Sequence, residues 1–524
     1  MEHLRFVIVH SHYRPGGVRR VIELALPGVA AALRPRVTEI VLAGGEAPDA
    51  AWLTRVQRSV GAIPVSCAID PALGYVSEQR GRPERVGRRI TTRFERILSG
   101  TTPGGAVVWA HNLGLGRNLP LADALHAVCA ARQVPLVFHH HDWWFDNRWA
   151  RWPEMRRSGF GSLAAVARAI LPAAPGVKHA AINHADTSVL ARRFGAFAGW
   201  LPNPAAPAAR PPAARVRDAR RWLRETLGDA GPVWIVPCRL LRRKNLAEAL
   251  LLTRWLRPEA WLVTTGGVSS ADEQAYAATL DQAARRHGWR LRLGVLAGSE
   301  MDKPSVDALL GASEVVLLTS LQEGFGLPNL EAAAAGRPLI ARTLRNIAPD
   351  LARFGFRFPQ AYDEVQVDVG LFDWRAERAR QRERWRAWRA GLPAACRTLA
   401  GRPALLAGRA APATVPFSRL TLTAQLEVLA RPAAESWARC VVHNPWLAGW
   451  RERAATGGLR PSAWPAGATR RLDGAAYARR FQRLLRVPPA AVPAPAAGVQ
   501  AMEQFIRQKL TGDNQYPLLW SARP

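Results

Sequence analysis

Two carboxylates, Glu323 and Glu331, are separated by seven residues in the segment EGFGLPNLE. Between them, Gly324 and Gly326 let backbone approach a ligand closely, and Pro328 suits the first position of a helix, where its missing N–H costs nothing. Free N–H groups at a helix start favour anions and hydroxyl groups. Such donors, flanked by two carboxylates, suit a polyhydroxylated ligand that carries phosphate, such as a nucleotide sugar. Upstream, Arg239 and Lys244 lie in CRLLRRKN, just before the helical run 246–256. Two cations beside a helix N-terminus can hold a diphosphate. Asn245 and Glu248 have the N-cap and N3 spacing of a capping box.

The elements that must position these groups are legible as hydrophobic runs. Residues 314–319 (EVVLLT) are, after Glu314, a mainly apolar run with β-branched members, as in a strand buried on both faces. Residues 332–335 read as a small-residue helix, Gly336 as its stop and 337–341 as the next strand. Strands are expected at 233–237, at 261–265 before Gly266 and Gly267, and at 291–296, with a helix at 306–312.

The amino-terminal half repeats the pattern. A strand at 4–9 leads through HSHYRPGG into a helix from about residue 18, which Pro27 is expected to kink or end. Arg14, Gly16 and Gly17 therefore sit at a strand's carboxyl end, where α/β sheets bind ligands, although no GxGxxG is present. Strand 107–110 precedes a polar loop containing His111 and Asn112, and strand 135–138 precedes HHHDWWFDNRW. Neighbouring strand residues point to opposite faces, so three consecutive histidines make poor zinc geometry, and no metal is expected. With His111 and Asn112, Asp142 and Trp143 are candidates for shaping an acceptor side.

Strand–helix alternation on both sides of a proline-rich linker predicts an α/β protein. It has two Rossmann-like, doubly wound domains facing a cleft, with a mainly helical carboxy-terminal extension. Expected boundaries are 1–200, linker 201–217, 218–370 and 371–524, part of the last packing back on the first domain.

The E-x7-E segment resembles the donor-site signature of retaining GT-B glycosyltransferases, especially family 4, and WLPNP at 200–204 is similar to that family's short interdomain segment. The resemblance covers about residues 1–350. It implies that Glu323 binds donor-sugar hydroxyls with Gly324 and the N–H groups of Phe325, Gly326 and Leu327. It also implies that Glu331 binds the ribose, that Arg239 and Lys244 stabilise the departing diphosphate, and that Gly266 lines the nucleotide. Gly16, Gly17 and Arg14 would lie near donor phosphate and acceptor. A histidine in the third strand-end segment, His141 by position or His139 on the same face, would support the reacting sugar. Catalysis would then rest on His141, Glu323, Arg239 and Lys244. Transfer would be front-face with retained configuration, the leaving phosphate helping to deprotonate the acceptor. No obligatory cofactor is implied. The co-substrate is a nucleotide-diphosphate sugar, UDP- or GDP-linked, and the acceptor a glycan, glycolipid or small molecule. DWWFDNRW departs from the commonest family patterns, so the family's usual acceptors do not carry over.

The chain has 524 residues and a formal net charge of +31, which raises nucleic acid or an anionic membrane as partners. Only Lys178, Lys244, Lys303 and Lys509 among the 72 basic residues are lysines, and the arginines are spread along the chain. That reads as compositional bias: nucleic acid is not expected, while peripheral contact with a membrane's inner face is compatible with the charge. Five scattered cysteines, no signal-like N-terminus and no apolar run of membrane-spanning length suggest a cytoplasmic protein. The rival readings are a GT-B sugar phosphorylase, a basic nucleic-acid-binding protein and a non-catalytic scaffold. Retention of both carboxylates and both cations argues against the last.

Overall fold

Apolar runs flanked by helices fold into two parallel sheets, because strands covered on both faces must be apolar along their whole length. The computed structural model describes residues 3–34, 36–79, 83–207, 211–268, 270–298, 303–408, 410–487 and 492–520. The chain divides into two compact units. Unit 1 comprises Met1–Ala206, Leu392–Cys396 and Thr469–Lys509, and unit 2 comprises Pro207–Gly391, Arg397–Ala468 and Leu510–Pro524. Residues 371–524 are thus divided between the two units. Part of the expected linker, residues 208–210, lies outside the described residues.

Unit 1 holds a seven-stranded sheet built from β1 (Leu4–Val9), β2 (Val37–Gly44), β3 (Val65–Ile69), β4 (Ala106–His111), β5 (Leu136–His140), β6 (Val177–Ala181) and β7 (Ala198–Trp200). Its order is β3-β2-β1-β4-β5-β6-β7. All pairings are parallel, and the order reverses direction at β1 and β4, the point where doubly wound sheets bind ligands. The first helix, Gly17–Ala32, continues through Pro27 rather than ending there. Tertiary packing outweighs the lost hydrogen bond. A Cβ on Gly28 would lie 2.5 Å from Gly474 O, so this helix and helix Gly474–Leu485 meet backbone to backbone. The second helix sends Tyr477 and Phe481 into the core beside Phe6 and Trp109. Helix Ala497–Lys509 packs Phe505 against Trp143 and Phe145, and Lys509 Nζ lies 2.6 Å from Asp146 Oδ1.

Unit 2 holds a six-stranded sheet built from β8 (Val233–Val236), β9 (Trp261–Thr264), β10 (Leu291–Arg292), β11 (Val315–Leu318), β12 (Leu339–Arg342) and β13 (Gln360–Tyr362). Its order is β10-β9-β8-β11-β12-β13, again parallel throughout. The strand expected at 291–296 pairs regularly over two residues only. Beyond it, Gly294 turns left-handed (φ +65°), while Val295 and Leu296 N–H still donate to Thr264 O and Thr265 O. A small antiparallel pair, β14 (Gln366–Asp368) with β15 (Thr414–Pro416), follows. Of the tryptophans along helix Trp374–Gly391, Trp388 is buried against Trp520 and Trp374 packs on the core. Among the described residues, no helix is long and apolar enough to cross a membrane.

Candidate functional site

The loop between β11 and the next helix is shaped by its glycines. Gly326 is left-handed at φ +83°, and a Cβ there would meet Asn329 and Ile347 at 2.7 Å. The helix spans Leu327–Ala334, so Pro328 occupies its second position rather than its first, where a missing N–H is equally harmless. Gly336, left-handed at φ +62°, follows its end. Among the described residues, the N–H groups of Phe325, Gly326 and Leu327 have no backbone acceptor. Phe325 itself is buried, stacking edge-on against Phe354. Glu331 is on the exposed side of the helix.

Glu323 is the centre of the arrangement. Its carboxylate pairs with Lys244 Nζ, lies 2.9 Å from Arg243 Nη1 and accepts from Ser320 Oγ at 2.7 Å. Its backbone carbonyl accepts from Asn346 Nδ2 at 2.7 Å. Burial alone would raise the carboxyl's pKa. Lys244 and then Arg243 overcome that and hold it at about 2, so the group is ionised at any working pH. Lys244 is itself buried. Arg239 is exposed and, among the described residues, makes no ion pair. Burial pushes the Cys238 thiol up to about 11, and Lys244, Glu323, Arg243 and Arg239 all act on it through their charge, which puts the four groups in one neighbourhood. Gly266 sits against the same loop: a Cβ there would lie 3.0 Å from Arg239 Cγ and 3.1 Å from its Cα.

Arg243, Ser320 and Asn346 were not among the residues singled out in the sequence. Adjacency to Lys244 in RRKN was the one available signal for Arg243; the other two are brought in by the turn itself.

Lys244 is placed by an unusual helix start. Asn245 is left-handed (φ 49°) and its side chain makes no cap. Asn245 Nδ2 donates to Glu248 Oε2 at 2.9 Å, and the Leu246 N–H is taken by Tyr276 Oη at 2.9 Å. The capping-box expectation is corrected accordingly: the spacing is right, but Glu248 turns inward. Glu248 is fully buried, paired with Arg342 and accepting from Tyr362 Oη at 2.5 Å. Burial raises the Glu248 carboxyl despite Arg342. Arg342 stays protonated because Glu248, Tyr362 and Glu364 outweigh its own burial. Thr319 Oγ1 donates to Lys244 O at 2.9 Å, tying the end of β11 to the lysine loop.

In unit 1 the candidates gather at the carboxyl ends of β1, β4 and β5. Gly16 and Gly17 are exposed at the start of the first helix; a Cβ on Gly17 would meet nothing within 4 Å, and one on Gly16 only Arg14 O at 3.9 Å. Arg14 is exposed and pairs with Glu46 and Glu78. His111, His139 and His141 are buried together, their rings 4.3 to 5.3 Å apart centre to centre. Burial, reinforced for His111 and His141 by neighbouring imidazoles, holds all three neutral. Asn112, left-handed at φ 60°, accepts the Asp142 N–H at 2.9 Å, and Asp142 pairs with Arg148 at 3.2 Å. Trp143 is a correction. It is buried between His140, Phe145 and Phe505, with its Nε1 donating to Asp186 at 2.9 Å, so its faces belong to the core and not to a sugar.

Residues 225–357 match the family described as glycosyl transferases group 1. The chain is 23% identical over 347 residues to the mannosylglucosyl-3-phosphoglycerate synthase of Petrotoga mobilis, a match spanning 64% of each protein. Similar solved structures include HepE of Anabaena in complex with UDP, at 15% identity and TM-score 0.48, covering 92% of this chain and 99% of that one. A trehalose-6-phosphate structure from E. coli bound with UDP-2-fluoro glucose aligns at 14% identity and TM-score 0.46, covering 94% and 100%.

Proposed function

We propose that this chain, whose residues 225–357 match the glycosyl transferases group 1 family, is a glycosyltransferase. It moves a sugar from a nucleoside-diphosphate sugar, UDP- or GDP-linked, to an acceptor hydroxyl with retained anomeric configuration. The observation that carries this reading is the ionised Glu323 carboxylate held by Lys244 and Arg243 in the neighbourhood of the exposed Arg239.

In this mechanism the bond from sugar C1 to the diphosphate oxygen breaks and a bond from C1 to the acceptor oxygen forms on the same face. The acceptor proton passes to the departing diphosphate. Arg239 and Lys244 stabilise the charge that grows on that diphosphate, each contributing on the order of 3 kcal/mol to the transition state. Glu323 accepts hydrogen bonds from donor hydroxyls, while the free N–H groups of Phe325, Gly326 and Leu327 donate to the sugar and phosphate. Glu331 binds the ribose, and Gly266 lets the nucleotide lie close to backbone. His141 supports the sugar's reacting face. Gly16, Gly17 and Arg14 serve donor phosphate and acceptor, and His111, Asn112 and Asp142 the acceptor side. Residues 218–370 form the nucleotide-sugar half and residues 1–200 the acceptor half. The acceptor is a glycan, glycolipid or small molecule, and the setting is the cytoplasm with peripheral membrane contact.

The test is release of nucleoside diphosphate from a panel of UDP- and GDP-sugars by the full chain. Glu323→Gln and Lys244→Ala are expected to lower it by about a hundredfold with the fold retained. Unchanged release in both variants would remove the reading, and phosphate-dependent cleavage without any nucleotide sugar would replace it with a phosphorylase.

A further inference from the structure

We propose that His111, His139 and His141 bind one divalent first-row transition-metal ion, zinc being the species that fits them. Consecutive histidines cannot share an ion, and the expectation of no metal rested on that. Sheet register supplies what the local sequence lacks: His111 in β4 is the direct neighbour of His139 in β5, and His141 follows on the same side. His140 points away, to His179.

One ring nitrogen from each of the three lies within 4.8 Å of the others, the only such group among the described residues. His111 Nδ1 and His141 Nε2 are 3.1 Å apart. Two imidazole nitrogens on a tetrahedral zinc, each about 2.0–2.1 Å from the ion, are separated by about 3.3 Å. His139 Nε2 lies 3.1 Å from Leu201 O, a contact it can make only by donating, which leaves Nδ1 with its lone pair. A ring N–H donated to a backbone carbonyl is the usual outer contact of a metal-bound histidine. His139 Nδ1 now faces Tyr477 Oη at 3.2 Å, so ligation there exchanges one neutral hydrogen bond for a coordinate bond.

His111 Nε2 is buried without a hydrogen-bond partner, so no contact fixes this ring's tautomer and its Nδ1, the atom beside His141, can present a lone pair. Three protein ligands leave a fourth position for water or a hydroxyl group. The inference is independent of the diphosphate step, which uses Arg239 and Lys244; with the His111 and His141 imidazoles on the ion, any contact of His141 with the sugar is through its backbone.

The test uses the full chain, stripped with chelator, reloaded with Zn²⁺ and desalted. Elemental analysis is expected to find about one zinc per chain, and substitution with Co²⁺ to give the visible bands of a tetrahedral nitrogen and oxygen site. X-ray absorption at the zinc edge should show a nitrogen and oxygen shell at about 2.0 Å with no sulfur. His111→Gln and His141→Gln should each lose the metal, whereas Cys67→Ser and His126→Gln should keep it. Below about 0.1 zinc per chain in the wild type, a sulfur ligand in the absorption spectrum, or full loading of the folded His111→Gln variant would each overturn the proposal.

Discussion

Arg243 Nη1 lies 2.9 Å from Glu323 Oε2 although 80 residues separate the two in the chain. The same guanidinium nitrogen also donates to Gln322 O at 2.8 Å. Arg243 thus holds the turn that presents Glu323, leaving Lys244 and Arg239 as the cations assigned to diphosphate. Arg243→Ala should lower donor turnover about tenfold or more, chiefly through loosening of Glu323. It should also lower the stability of the chain by about 1.5–3 kcal/mol, the worth of a charged hydrogen bond. Chemical denaturation and initial rates on the same preparation check both. A variant as active and as stable as the parent would show that the contact is incidental.

The depressed Glu323 pKa makes stability depend on pH with a definite sign. The folded carboxyl titrates at about 2, below the ordinary glutamate range, so its contribution is fully present above about pH 4.5 and is lost as pH falls toward 2. The amount is on the order of 3 kcal/mol. Denaturant midpoints for the parent and Glu323→Gln, measured from pH 6 downward in about half-unit steps, should converge below about pH 4.5. A stability difference that stayed constant to pH 3 would contradict the pairing.

Glu248 and Arg342 form a buried ion pair. Removing one partner strands the other's charge, so Glu248→Ala should cost about 3–5 kcal/mol. Tyr362→Phe, which removes one donor to the same carboxylate, should cost about 1.5–3 kcal/mol. Both belong to the positioning of the Lys244 loop, so Tyr362→Phe should change nucleotide affinity less than Lys244→Ala does. Calorimetric titration of the two variants compares them.

Gly28 and Gly474 are a matched pair within unit 1. Gly28→Ala would push a Cβ to 2.5 Å from Gly474 O, and backbone cannot swing aside as a side chain can. A loss of about 1–3 kcal/mol is expected, read as a lower denaturation midpoint. Gly17→Ala, where nothing lies within 4 Å, is the control and should be nearly silent for stability.

Much of this was legible in the sequence because parallel strands buried on both faces write themselves as apolar runs, as at β1, β8 and β11. EGFGLPNLE marked its turn through glycine and proline chemistry that acts locally. What local reading missed came from distance along the chain. Pro27 sits mid-helix because Gly474, far away, holds the helix in place. Glu248 turned inward because Arg342 and Tyr362 wait there. Trp143 is buried because Phe505, from a carboxy-terminal helix, covers it. His111 joins His139 and His141 through strand register, which no spacing within HHHDWW announces.

If unit 2 binds a nucleoside-diphosphate sugar through Lys244 and its neighbours, calorimetric titration of the full chain will read that binding. UDP, GDP and their sugars are titrated into the parent and into Lys244→Ala. One nucleotide family should bind the parent with a Kd in about the micromolar range, and the variant should bind it at least about tenfold more weakly, a difference of about 1.4 kcal/mol. No heat with any nucleotide, or equal affinity in the two proteins, would show that Lys244 does not hold a nucleotide.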